Sequence, residues 1–111
     1  MTALKMSLTV ILSSLAICPV YAESGMAAFY GGGRTASGEI TGPAGLTAAH
    51  RTLPFGTKVL VTNVRNGKTV VVRLVDRGPY GRGRIIDVSR AAARELDMIE
   101  SGTARVSLAR R

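Results

Sequence analysis

Two β-branched runs dominate the pattern of apolar and polar positions. Residues 58–64 read KVLVTNV and residues 69–75 read TVVVRLV, with Asn66-Gly67 between them. Asn-Gly between alternating apolar runs predicts a β-hairpin. If those two residues form the loop, Arg65 pairs with Lys68, Val61 lies opposite Val72 and Val59 opposite Leu74. One face then carries Val59, Val61, Val70, Val72 and Leu74, and is the expected core face. The other carries Thr62, Thr69 and Arg73. The same alternation sets Asp76 on the core side, opposite Thr57, where the apolar face meets the surface.

The remaining elements are shorter. Residues 26–30 (MAAFY) form a strand that runs into Gly31-Gly32-Gly33, a triplet that turns or bulges the chain. It is not a phosphate loop, because no Lys-Ser/Thr pair and no helix follow it. Residues 34–45 read as a loop with one acid, Glu39. Residues 46–57 (LTAAHRTLPFGT) approach the hairpin and hold His50 and Arg51. After the Gly-rich stretch 78–83, residues 84–88 form a strand. Ser89 then caps a helix over 90–96, whose apolar face is Ala92, Ala93 and Leu96. Asp97 closes that helix, and residues 104–108 make a last strand after Ser101-Gly102. Asp87, just before the cap, reads as structural. Five or six short strands and one helix give a mainly β domain, and a small closed barrel removes the exposed edges.

Composition adds the compartment. Lys5 precedes an apolar run at 6–17, and Val20-Tyr21-Ala22 offers a cleavage site before Glu23, the layout of a secretory signal peptide. The run is too short to span a bilayer, which needs about 20 apolar residues. The expected organisation is a signal at 1–22 and one domain at 23–111, with no membrane span after cleavage. The single cysteine, Cys18, leaves with the signal, so neither a disulfide nor a Cys/His zinc site is expected. The chain carries a net charge of +8, and +7 without the leader, which holds one lysine and no acid. Its basic residues are scattered and the chain is exported, so an anionic envelope polymer fits better than nucleic acid.

With these stretches in hand, the chain resembles the RlpA-like (rare lipoprotein A) family. The matching segments are GMAAFYGGGRTASGE (25–39), LTAAHRTLPFGTKVLVTNVRNGKTVVVRLVDRGPY (46–80) and RGRIIDVSRAAARELDMI (82–99), in order and together with the last strand. The resemblance implies a six-stranded double-psi β-barrel with one short helix. It implies a lytic transglycosylase that cuts the MurNAc–GlcNAc β-1,4 bond of peptidoglycan without water, leaving a 1,6-anhydro end. The expected partner is a peptidoglycan glycan strand in the periplasm or envelope of a Gram-negative-type bacterium. No cofactor or metal is expected, and a monomer suffices.

Carried over by position, the family's candidate catalytic residues are Asp76, Glu39 and His50. Tyr30 and Tyr80 offer sugar-stacking faces, and Arg51 and Arg77 offer donors to substrate. Gly42 departs from the family, which often carries an aspartate there. That loss weighs more against a two-carboxylate hydrolase, which must activate water on the opposite face of the sugar, than against a transglycosylase that uses the substrate's own 6-hydroxyl. The competing reading is an expansin-like module that binds or loosens glycan without cutting it. No glycan-binding repeat follows the last strand, so septal targeting is not expected.

Overall fold

The computed structural model describes residues 22–31, 33–42 and 44–111. The expected leader up to Tyr21, Cys18 within it, Gly32 and Pro43 lie outside the described residues. Six strands close a barrel: β1 (Ala22–Tyr30), β4 (Thr47–Ala49), β5 (Lys58–Asn63), β6 (Thr69–Asp76), β7 (Arg84–Ser89) and β8 (Ala104–Arg110), in the order β1-β7-β4-β6-β5-β8. A separate two-stranded ribbon joins β2 (Gly33–Arg34) to β3 (Ile40–Thr41). Helix α1 (Arg90–Glu95) follows β7 directly.

The β5–β6 hairpin pairs Val59 with Val72, Val61 with Val70 and Lys58 with Arg73. This shifts the expected pairing by two residues. The chain does not turn on Asn66-Gly67 alone: Asn63 N–H bonds Lys68 O at 2.8 Å, so residues 64–67 form the loop. The physical reason lies in two asparagine side chains. Asn63 Oδ1 accepts from Arg65 N–H, Asn66 Oδ1 accepts from Lys68 N–H, and both amide groups donate to Leu96 O at the end of α1. The loop thus opens to cap a helix C-terminus, and Gly67 takes the left-handed conformation that closes it (φ 78°). A shift of two residues preserves the face, so the expected core residues are all buried: Val59, Val61 and Leu74 at 0%, Val72 at 1% and Val70 at 7% exposed.

Segment 46–57, which carried no strand signal, supplies β4, a short strand between β6 and β7. Its Thr47, Ala48 and Ala49 are all buried, so no amphipathic alternation marks it. Parallel pairing of β4 with β6, and of β1 with β7, brings sequence-distant strands together through crossovers. At the other end of β7, Ser89 Oγ accepts from Ala92 N–H as the expected N-cap and also donates to Gly45 O. Asp97 closes the helix in the left-handed region, as expected (φ 55°).

Candidate active site

The β4–β6 pairing contains the feature that defines the site. Ala48 pairs with Leu74 and Ala49 with Asp76, so Val75 is an extra residue on β6, a β-bulge. Ala48 and Leu74 point into the core. The next row, Ala49 and Asp76, therefore points to the outer face. The bulge corrects the expected placement of Asp76 on the core face: it flips the carboxylate outward, the re-aiming that bulges perform beside active sites. The contact expected between Asp76 and Thr57 is also replaced. Thr57 O accepts from Leu74 N–H, while Asp76 O accepts from His50 N–H at 3.1 Å. The His50 segment does reach Asp76, by way of β4.

Asp76 is half-buried at the end of β6. Its Oδ1 accepts from Arg77 N–H at 2.8 Å and from Ala36 N–H, on the β2–β3 turn, at 2.9 Å. Ser37 N–H bonds Val75 O, so the bulge itself anchors that turn. Among the described residues, no hydrogen bond falls on Oδ2. The carboxylate is fixed by one oxygen and presents the other.

The other expected site residues sort by what they touch. Glu39 reaches back from the ribbon to Arg73 on the outer face of β6, in a two-pronged pair with N–O distances of 2.9 and 2.6 Å. Hydrogen bonding to Arg73 lowers the Glu39 pKa and raises that of Arg73. Tyr30, at the end of β1, reaches across β7 to Thr47 on β4 (O–O 2.8 Å). Burial raises its pKa, and the nearby Asp76 and Asp87 charges push the same way. Tyr80 is 77% exposed beside the Gly78-Pro79 turn, an open stacking face.

His50 is buried, and its ring is built into the scaffold. Nδ1 accepts from Thr52 N–H and Leu53 N–H, both at 3.2 Å, which places the ring proton on Nε2, facing Glu23 Oε1 at 2.9 Å. Arg51 donates to Pro79 O, Gly81 O and Arg84 O and so ties down the 79–84 loop. Arg77 donates to His50 O and Leu53 O and stacks on Phe55 at 4.1 Å. Both arginines hold the backbone that frames Asp76.

Sequence reasoning missed Arg73 as the partner of Glu39, although the alternation of β6 had already put it on the outer face. It also missed Phe55, 41% exposed under Arg77. A shallow groove runs along the outer face past Arg73, lined by Leu46, Lys58 and Val71. Among the described residues there is no group of three His, Cys, Asp or Glu able to hold a metal ion, and no helix long and apolar enough to cross a membrane.

Fold and site define a small double-psi β-barrel that presents one backbone-anchored carboxylate from a bulged strand end. The lytic transglycolase family model matches residues 22–108. The probable endolytic peptidoglycan transglycosylase RlpA of Nostoc sp. is 58% identical over 90 residues, covering 76% of this chain and 24% of that protein. The endolytic peptidoglycan transglycosylase RlpA of Pasteurella multocida is 54% identical, covering 78% of this chain and 31% of that protein. Among solved structures, Streptomyces papain inhibitor superposes with a TM-score of 0.66 at 24% identity, covering 82% of this chain and 96% of that one. A Clavibacter michiganensis expansin gives 0.64 at 21% identity, covering 82% of this chain and 50% of that one. At those identities the two structures attest the fold. The chain belongs to the lytic transglycolase family, in its RlpA-like group, and spans between about a quarter and two-fifths of the length of the curated relatives it matches.

Proposed function

We propose that this domain is an endolytic peptidoglycan lytic transglycosylase with Asp76 as its general acid/base. The observation that carries the reading is the bulge at Val75, which turns Asp76 to the outer face, where Oδ2 takes no hydrogen bond among the described residues. The relatives named as peptidoglycan transglycosylases support the substrate class. In the reaction, protonated Asp76 gives its proton to the glycosidic oxygen as the C1–O4 bond breaks. The conjugate base then takes the proton of the 6-hydroxyl as O6 bonds to C1, which closes the 1,6-anhydro ring and restores the acid. No water is consumed.

Glu39 and His50 support this chemistry indirectly. Glu39 clamps the ribbon that donates Ala36 N–H to Asp76, and His50 fixes the segment whose N–H holds Asp76 O. Tyr80 and Tyr30 are the sugar-facing aromatics, and Arg51 and Arg77 shape the walls. The domain acts in the cell envelope, in the periplasm of a Gram-negative-type cell, as a monomer on glycan strands.

Incubation with purified peptidoglycan, followed by mass spectrometry of the fragments, tests the reading. Anhydro-ended products are expected from wild type, and Asp76→Asn should lower their rate by about 100-fold or more while keeping the fold. Sacculus binding with no anhydro products from wild type would establish the expansin-like alternative instead. Reducing ends in place of anhydro ends would mean hydrolysis.

A further inference from the structure

We infer that Glu23 is a positioning residue of this site: its carboxylate accepts the Nε2 proton of His50, and by fixing that ring it fixes the backbone that holds Asp76. The inference rests on the transglycosylase reading above. It starts from an acid on the inner side of a strand. In β1, Glu23, Gly25 and Ala27 alternate onto one face. Their β8 partners are Leu108, Val106 and Ala104, which lie in the core or pack against it. Residues paired directly across a ladder share a face, so Glu23 points to the inner side near the start of β1. An ionisable group there loses hydration and needs a partner to offset the loss. Glu23 Oε1 lies 2.9 Å from His50 Nε2, with the carboxylate side chain 34% exposed and the imidazole 4%.

Both edges of the ring are engaged. Nδ1 accepts from Thr52 N–H and Leu53 N–H, which makes Nε2 the donor to Glu23. The backbone around the ring then reaches the acid by two routes. His50 N–H bonds Asp76 O at 3.1 Å. His50 O and Leu53 O both accept from Arg77 Nη1, and Arg77 N–H donates to Asp76 Oδ1 at 2.8 Å. Glu23, on β1, thus braces from across the barrel a segment that is hydrogen-bonded to the end of β6.

Supporting hydrogen bonds of this kind lock the rotamers around a reacting group. Without the Glu23 acceptor the Nε2 edge loses this hold, and the ring can rock about its Cβ–Cγ bond. Segment 50–53 then sets Asp76 less tightly, and a misplacement of about 1 Å at a reacting group costs about 100-fold in rate. Glu23 itself touches no reacting atom and moves no proton. The site uses its hydrogen bond rather than its charge, because a glutamine oxygen in the same place would also accept from Nε2.

The test uses the full chain in the peptidoglycan assay, with rates expressed per folded molecule. Glu23→Leu removes the acceptor at similar volume. Its kcat should fall by about 10-fold with KM within about twofold, because the surface that meets the glycan is unchanged. Glu23→Gln should keep most of the wild-type kcat. In a His50→Phe background, which has no Nε2, Glu23→Leu should lower kcat no further. Three results would each overturn the inference and leave the transglycosylase reading standing: Glu23→Leu near the wild-type kcat, Glu23→Gln as slow as Glu23→Leu, or an undiminished loss in the His50→Phe background. His50 is the only histidine of the chain, so nitrogen NMR of the wild-type protein reads its ring directly. A proton on Nε2 that exchanges slowly with solvent is expected. A proton on Nδ1, or fast exchange at Nε2, overturns the inference whether or not Glu23→Leu folds. Wild type without anhydro products overturns the transglycosylase reading itself, and the NMR signature still decides the Glu23–His50 bond.

Discussion

His50 shows how a side chain can matter to a site without performing its chemistry. Its buried ring accepts two backbone N–H groups and faces the partly exposed Glu23. Replacing it with Phe strands the Thr52 and Leu53 donors, at about 1–3 kcal/mol for each unsatisfied buried group. We expect His50→Phe to lower the unfolding free energy by that order, with activity per folded molecule falling less than in Asp76→Asn. Denaturant unfolding beside the product assay checks this. Glu39 gives a pH signature. Its folded pKa lies below the usual 4.5, because Arg73 bonds its ionised form. The contribution is therefore present above about 4.5 and is lost as pH falls through the lowered folded value. In Glu39→Gln, the acid-side loss of thermal stability should be shallower than in wild type. Both side chains are about two-fifths exposed, so the effect is small and shrinks with salt.

At the scale of elements, the bulge and the opened hairpin loop decide the geometry. Both are departures from regular alternation. The bulge chooses the face that Asp76 takes, and the loop at 64–67 joins the β5–β6 hairpin to the end of α1. Asn63 is 4% exposed and bonds Leu96 O with its amide and Arg65 N–H with its carbonyl. Asn63→Ala should cost about 1–3 kcal/mol in chemical denaturation, with the surroundings of Asp76 intact, because Asp76 lies at the other end of the β5–β6 hairpin. The core strands, the Ser89 cap and the Asp97 stop were legible in the sequence, since each rests on local patterning or local chemistry. Strand β4 was not. Its three residues are buried on both faces, and nothing in Thr-Ala-Ala distinguishes a short central strand from a loop.

For the molecule as a whole, the net charge is +8, of which +7 belongs to residues 23–111, a barrel whose exposed residues include Arg65, Lys68, Arg82, Arg94, Arg105 and Arg111. Such a surface favours an anionic polymer through long-range attraction that salt screens within about 10 Å at 0.1 M. We expect binding to sacculi to weaken several-fold between low salt and about 0.5 M NaCl, measured by co-sedimentation. The Asp76→Asn variant should follow the same salt curve as wild type, because binding charge and catalytic charge are distinct. A salt-independent pull-down would contradict the electrostatic account.

The sequence by itself determined the strands of the hairpin, the helix with both its ends, the core-facing residues and, through its motifs, the family, and it singled out Asp76 as the candidate acid. Those depend on neighbours in the chain or on residue type. The tertiary structure decided which way Asp76 points and what Glu39 and His50 hold. Each of these follows from pairing between strands distant in sequence, above all from the single extra residue at Val75. An alternation rule carried along one strand has no means of registering a bulge set by its neighbour.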